Sequence, residues 1–184
     1  NVNLPSPYLW HAAEVTIDGV ALGAVGLRKK GHIGSQTDLR PALKLDFDQV
    51  SPGGRYHGLE GVALNNDRSD PSHARACVSY QVFRAAGVPA PRCTLAHVTV
   101  NGEDQGVYGL VEEIDAHFLA RQFAQPGGNL YEGTANDFRP DAIGGFDRET
   151  NQGDPSRADL DAVLAALDAA DAEVEAALAA VIDL

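Results

Sequence analysis

The chain has 184 residues, of which 44% are hydrophobic, and a formal net charge of −12 at pH 7. This length and apolar content suffice for one hydrophobic core. The negative charge argues against a nucleic-acid-binding surface and against adhesion to anionic lipid, because phosphate groups attract positively charged patches. No apolar run approaches the roughly 20 residues of a membrane span, and no signal-peptide pattern opens the sequence.

The first predicted element is a hairpin. Residues 13–18 alternate apolar and polar side chains, and residues 20–28 run back as a second strand. Asp18 and Gly19 lie between them, and both residue types accept the positive φ that a tight turn requires.

A basic loop follows, although the rest of the chain is strongly acidic. Its basic, glycine and hydroxyl residues are Arg28, Lys29, Lys30, Gly31, Gly34 and Ser35. Glycines let backbone N–H groups approach an anion closely, and the cationic side chains add positive charge. An ordinary flexible hairpin loop with solvated lysines fits the same residues, and the spacing is not that of a Walker loop. The spacing alone favours the ordinary loop.

Residues 42–48 are predicted to form a strand with Leu43, Leu45 and Phe47 on its apolar face. Lys44 lies on the opposite face with two aspartates, which indicates a solvated ion pair. The alternative is a strand lysine aimed at a nucleotide phosphate, and composition alone favours the ion pair.

The loop over residues 50–69 contains a short predicted strand at 58–64. It is followed by oxygen-bearing side chains: Asn65, Asn66, Asp67 and Asp70. Such a group hints at calcium, but the glycine and the terminal glutamate of an EF-hand loop are lacking. We therefore expect these side chains to stabilise turns.

A helix is predicted over residues 72–86, because a carboxylate cap and a proline precede it and Gly87 ends it. Its predicted buried stripe is Ala74, Cys77, Val78, Val82, Phe83 and Ala85. The only two cysteines are Cys77 on this stripe and Cys93 at the start of a strand. We expect two small buried side chains rather than a disulfide. No pair of histidines has ligand spacing, so the sequence predicts no metal site.

The strongest local signal is the hairpin of residues 94–100 and 106–112, joined at Asn101-Gly102. Asp115 is predicted to cap a short helix over residues 115–123. A small strand is expected within 127–133, and a long surface loop over 134–154.

The longest helix is predicted to begin at Pro155 and to continue to the last residues. Its apolar stripe is Leu160, Val163, Leu164, Leu167, Val174, Leu178, Val181 and Ile182. Nothing follows that could cover this stripe, so we expect an incomplete domain that self-associates through the 155–182 helix.

Six motifs resemble the spore coat protein H (CotH) kinase family in order and spacing. They are LRKKGHIGS, LKLDF, LNNDRSDPSHAR, FRAAGVPAPR, VNGEDQGVYGLVEEID and GGNLYEG, and they cover nearly the whole chain. The resemblance implies an α+β, atypical protein-kinase fold. Residues 1–112 would form its small lobe, a mostly antiparallel sheet with a packed helix. Residues 113–184 would form the hinge and the incomplete start of the large lobe, including its first helix.

The resemblance also implies transfer of the ATP γ-phosphoryl group, with Mg²⁺, to serine or threonine of a spore-coat or surface protein. Only the family resemblance implies that the protein is located at the spore coat or the cell surface, or that it is secreted. The implied nucleotide-binding residues are Arg28, Lys30, Gly31, Ser35, Lys44 and Glu112. The basic loop would cover the phosphates, Lys44 would be the strand lysine, and Glu112 would contribute mainly its main chain at the hinge.

The sequence departs from the usual kinase pattern in two ways, and two alternative functions remain open. The predicted helix offers no glutamate as a partner for Lys44, only His73 and Arg75. The catalytic aspartate and the metal ligands are expected downstream of Leu184, so the fragment is expected to be inactive alone. A non-catalytic surface or coat binding module and a small-molecule phosphotransferase remain as alternatives, and nucleotide binding would discriminate against the first.

Overall fold

The protein is described by a computed structural model, which covers residues 8–31, 39–134 and 136–182. The chain forms two compact units, Asn1–Ala124 and Gln125–Leu184. Among the residues described, no helix has both the length and the apolar content to cross a bilayer.

The first unit is built on a curled, six-stranded sheet in which every neighbouring pair is antiparallel, with the order β1-β2-β3-β4-β6-β5. Its strands are β1 (His11–Ile17), β2 (Val20–Lys29), β3 (Leu43–Asp46), β4 (Gly61–Asn65), β5 (Cys93–Val100) and β6 (Glu103–Glu112). The predicted α+β class with a mostly antiparallel sheet is confirmed.

The two predicted hairpin turns are present. Asp18 and Gly19 have φ values of 50° and 79°, and Asn101 and Gly102 have φ values of 51° and 84°. Positive φ at both central residues matches the right-handed twist of the strands that the turn joins. The first turn joins β1 to β2, and the second joins β5 to β6.

The sheet contains one crossover. Strands β4 and β5 both pair with β6, which lies between them, so β4 and β5 run parallel to each other. The connection between them carries helix α1 (Arg75–Ala85). Helix α2 (Ala116–Gln122) follows β6, and Asp115 caps it as predicted by accepting hydrogen bonds from the N–H groups of His117 and Phe118.

The apolar interior lies on one face of the sheet. Its buried residues are Val25, Leu43, Leu45, Phe47, Val62, Leu64 and Tyr108. The alternation predicted for β3 is confirmed, because Leu43, Leu45 and Phe47 all belong to this cluster while Lys44 does not.

Helix α1 differs from its prediction in start, burial and cross-linking. It begins at Arg75, and none of its residues is buried; Val82, for example, is 61% exposed. The predicted buried stripe is wrong because the helix contacts the edge strand β5 rather than the broad apolar face of the sheet.

The expectation of two unbonded cysteines is also wrong. Cys77 in α1 and Cys93 at the start of β5 form a disulfide with a Cα–Cα distance of 5.1 Å. That spacing lies within the range that a disulfide can bridge. Helix α1 contacts β5, the strand that Cys93 begins, and the sequence spacing of the two cysteines does not indicate this contact.

The second unit contains a hairpin of β7 (Tyr131–Gly133) and β8 (Phe146–Arg148), followed by helices α3 (Ala158–Leu167) and α4 (Val174–Ala179). The predicted surface loop over 134–154 therefore includes a strand. The predicted long helix is two short ones, because Asp168 and Asp171, residues of low helix propensity, lie in the interruption. Leu160 is buried whereas Val181 is exposed. Self-association through residues 155–182 stays a prediction.

Candidate functional site

One row of the sheet joins two cationic side chains to the strand that carries the disulfide. Arg28 of β2 pairs with Lys44 of β3, which pairs with Ala63 of β4. Ala63 pairs with Val111 of β6, and Val111 pairs with Cys93 of β5. Residues directly opposite each other in antiparallel strands share a face. Arg28 and Lys44 therefore lie on the face opposite the apolar interior, which is also the face of the disulfide to α1.

Lys44 is held by a carboxylate on this face. Its Nζ lies 2.9 Å from Oε2 of Glu113, the residue that follows β6. The two side chains are only 24% and 20% exposed. The ion pair with the flanking aspartates that composition favoured is not the main contact of Lys44, since Asp46 instead accepts hydrogen bonds from the N–H groups of Asp48 and Gln49. Helix α1 contains no glutamate that could pair with Lys44. The partner is Glu113, which directly follows β6.

The second carboxylate oxygen of Glu113 is unsatisfied. Glu113 Oε1 is buried and has no hydrogen-bond partner within the described part of the chain. A buried acceptor without a donor loses about 1–3 kcal/mol, so native proteins usually provide one. Next to Lys44 there is thus an acceptor position suited to a donor group of a bound molecule.

The basic loop is described only in part. Lys30 Nζ donates a hydrogen bond of 3.3 Å to Asn65 Oδ1 at the end of β4. Gly31 has a φ of 83°, which favours glycine, and its carbonyl accepts a hydrogen bond from the Tyr8 hydroxyl. Ser35, the last residue assigned to this loop, lies outside the described residues.

Arg28 lies against two aromatic rings. Its guanidinium carbon is 5.8 Å from the centre of the Tyr8 ring and 5.0 Å from that of Trp10. Rings at this distance stabilise a cation through their negative faces. Arg28 therefore has a structural role as an aromatic-stacked cation, and its predicted contact with a nucleotide stays a prediction.

Glu112 is a buried structural carboxylate, exposed by only 4%. It accepts hydrogen bonds from the backbone N–H and the guanidinium of Arg92 and from the guanidinium of Arg121. Burial alone would raise the pKa of Glu112, but these hydrogen bonds outweigh burial and hold the pKa below its usual value of 4.5.

The main chain of Glu112 is engaged as well, since its N–H donates to the Arg92 carbonyl at 3.0 Å. The expectation that the identity of this side chain matters little therefore does not fit its surroundings. A contact between Glu112 and adenine stays a prediction.

In the oxygen-rich segment before α1, Asp70 stabilises the turn into the helix as expected, whereas Asp67 contacts the distant strand β6. Asp67 accepts a hydrogen bond from the N–H of Gly109, and Asp70 accepts from the hydroxyl and N–H of Ser72 and from the N–H of Arg75. The Ser72 hydroxyl is the main cause that lowers the pKa of Asp70. The Arg75 side chain is largely exposed, so it is a solvated charge at the start of the helix.

Comparison with known proteins identifies the family. The family model described as "CotH kinase protein" matches residues 27–184. The chain belongs to the CotH kinase protein family. It is 32% identical over 76 residues to inner spore coat protein H of Bacillus subtilis, which is 41% of this chain and 21% of that protein. It is 37% identical over 51 residues to an inner spore coat protein H-like protein of the same organism, which is 28% of this chain and 17% of that protein.

Two facts about this CotH family member bear on the site. The family match begins at residue 27 and so includes every predicted nucleotide-binding residue. The chain also spans only about a fifth of the length of the relatives it matches. Sequence reasoning missed Glu113 as the partner of Lys44, although two consecutive glutamates at a strand end must point to opposite faces.

Proposed function

We propose that this chain provides the nucleotide-binding part of an atypical protein kinase, which transfers the γ-phosphoryl group of ATP to serine or threonine of a protein. The observation that carries the proposal is the part-buried ion pair of Lys44 and Glu113 on the sheet face of Arg28 and α1. Protein kinases require a strand lysine held by a glutamate. In this chain the glutamate follows β6 instead of lying on the helix.

The residues on this face fit a nucleotide polyphosphate. Glu113 fixes Lys44 through one oxygen, so the lysine loses little further side-chain freedom when it binds an anion. Lys30, tied to Asn65 on the same face, provides a second cation. These two lysines would hold phosphate oxygens, and Glu113 Oε1 would accept a hydrogen bond from the nucleotide. ATP would supply the phosphoryl group, and Mg²⁺ would neutralise its charge.

The remaining assignments belong to the same proposal. Residues 1–112 correspond to the small lobe, and residues 113–184 to the hinge and the start of the large lobe. The catalytic aspartate and the Mg²⁺ ligands are expected beyond Leu184. Because its relatives are named as spore coat proteins, we propose a spore-coat or surface protein as the substrate.

The test is calorimetric titration of ATP into the full-length protein and three variants. Lys44→Ala removes a charge-assisted hydrogen bond worth about 1.5–3 kcal/mol, so ATP affinity is expected to fall by about ten- to a hundredfold. Lys30→Ala is expected to have a somewhat smaller effect. Thermal melts should change little for Lys30→Ala, whereas Lys44→Ala should lower the melting temperature, because it leaves the part-buried Glu113 carboxylate without its cation.

Lys29→Ala is the matched control, since Lys29 lies between Arg28 and Lys30 in sequence and on the opposite face of β2. It should bind ATP as the wild type does. Unchanged affinity in Lys44→Ala would overturn the assignment of this lysine. Absence of ATP binding in the wild type would favour the non-catalytic binding module.

A further inference from the structure

We propose that Glu60, Asp115 and His117 form a binding site for a divalent cation of the zinc class. Glu60 directly precedes β4, and Asp115 and His117 lie at the start of α2, after β6. Because β4 and β6 are paired neighbours, the start of one strand meets the end of the other. This pairing brings together three side chains that are far apart in the sequence.

The ligand atoms are already close. His117 Nδ1 lies 3.1 Å from Glu60 Oε2 and 3.9 Å from Asp115 Oδ2. All three ligand atoms lie within 4.8 Å of one another, and among the residues described this is the one such group. Metal–ligand bonds of about 2.0–2.2 Å place neighbouring ligand atoms roughly 3–3.5 Å apart. Small side-chain movements would therefore complete the geometry.

The imidazole nitrogen is the observation that points to a ligand. The His117 ring is 39% exposed, but its Nδ1 is excluded from solvent and has no hydrogen-bond partner in the described structure. Glu60 Oε2 is near enough to accept a hydrogen bond but lies outside the required alignment. When an imidazole nitrogen and a carboxylate bind the same cation, the cation lies on the axis of the nitrogen lone pair. The carboxylate oxygen then lies to one side of that axis, as Glu60 Oε2 does here.

Each carboxylate is also oriented by its other oxygen. Asp115 Oδ1 accepts hydrogen bonds from the N–H groups of His117 and Phe118, which leaves Oδ2 for the cluster. Glu60 Oε1 lies 3.3 Å from Arg55 Nη2, which leaves Oε2 for the cluster. Partners of this kind fix the direction of ligands in metal sites.

The donor set selects the class of cation. One imidazole and two carboxylates suit Zn²⁺ and related transition-metal ions, whereas Mg²⁺ prefers oxygen ligands alone. The site would bind its cation in the absence of a nucleotide, so it is independent of the proposed kinase function. A bound ion would join the start of β4 to the start of α2 and would therefore stabilise the folded state.

The experiment is calorimetric titration of ZnCl₂ into the nucleotide-free full-length protein, with thermal melts at saturating Zn²⁺. The wild type is expected to bind one equivalent tightly, to bind Mg²⁺ much more weakly, and to melt roughly 5–10 °C higher with Zn²⁺. His117→Ala and Glu60→Gln should each weaken the tight Zn²⁺ site at least about tenfold, because loss of a mere orienting partner already costs 10–100-fold.

The control is His97→Ala. His97 Nε2 lies 2.9 Å from Asp104 in an exposed pair that has no third ligand among the described residues, so its loss should leave the tight site intact. Wild-type Zn²⁺ affinity in His117→Ala, or absence of a stoichiometric site in the wild type, would overturn the proposal.

Discussion

The two adjacent glutamates at the end of β6 lie on opposite faces of the sheet and hold different cations. Glu112 is buried between Arg92 and Arg121, and it ties the start of β5 and α2 to β6. Glu113 points to the other face and holds Lys44. One of these carboxylates therefore stabilises the fold, and the other orients the proposed nucleotide lysine.

Substitution of Glu112 tests the first role. Glu112→Gln removes the charge that receives hydrogen bonds from both arginines, and we expect the free energy of unfolding at pH 7 to fall by about 2 kcal/mol. The loss should stay moderate, because the Arg92 side chain is half-exposed and can be solvated. Urea unfolding measures it. The exposed Glu103→Gln is the control and should stay within about 0.5 kcal/mol of the wild type.

The wild type and Glu112→Gln should also differ in how their free energy of unfolding depends on pH, and the sign of this difference follows from the pKa of Glu112. The pKa of Glu112 is lower in the folded state than its usual 4.5. Its contribution is therefore complete above pH 4.5 and is lost as the pH falls through the folded-state pKa. The stability difference between the wild type and Glu112→Gln should close as the pH falls below 4.5. A difference that widens would contradict the role of the charge.

Helix α1 depends on its connections more than on its packing. None of its residues is buried, and Asp70 and the disulfide fix its first turns. Arg84 near its last turn donates a hydrogen bond to the Pro91 carbonyl. A helix with little burial gains most of its order from such fixed points, because short helices are marginal by themselves.

Reduction of the disulfide is therefore expected to act on this element first. The bond closes a segment with a sequence separation of 16, and a loop of about that length is worth roughly 3 kcal/mol. We expect a reductant to lower the unfolding free energy by that order and to speed hydrogen exchange in α1. The variant Cys77→Ser/Cys93→Ser should match the reduced wild type and ignore the reductant. An unfolding midpoint of the wild type that does not respond to reductant would contradict this role.

At the scale of the whole molecule, local features could be read from the sequence and distant pairings could not. Asp18-Gly19 and Asn101-Gly102 predict their turns because the necessary φ values are properties of these residues themselves. Asp115 predicts its cap for the same reason. These signals give the hairpins and the short helix without knowledge of the rest of the fold.

The partner of Lys44 and the bond between the cysteines depend on register. Glu113 reaches Lys44 because β6 pairs with β4, which in turn pairs with β3. No local pattern states that β6 is inserted between β4 and β5. The amphipathic pattern of α1 predicted a buried stripe for a related reason: it does not show which face of the sheet the helix meets. The apolar cluster lies on the face of the sheet opposite α1.

The insertion of β6 between β4 and β5 also has a kinetic consequence. Every other pair of neighbouring strands in the described sheet is consecutive in the chain, so those pairs close shorter loops than the β4–β6 pair and can form earlier. The pairing of Val62 with Glu112 must close a long loop and loses chain entropy before contacts repay it. We infer that this closure limits the folding rate.

Stopped-flow measurements on a core substitution would test this inference. Val62→Ala, at the seam between β4 and β6, should slow folding, because the seam forms in the rate-limiting step. A variant that folds at the wild-type rate and only unfolds faster would contradict this order. The disulfide lies inside the loop and shortens it before it closes, so the oxidised chain should fold faster than the reduced one.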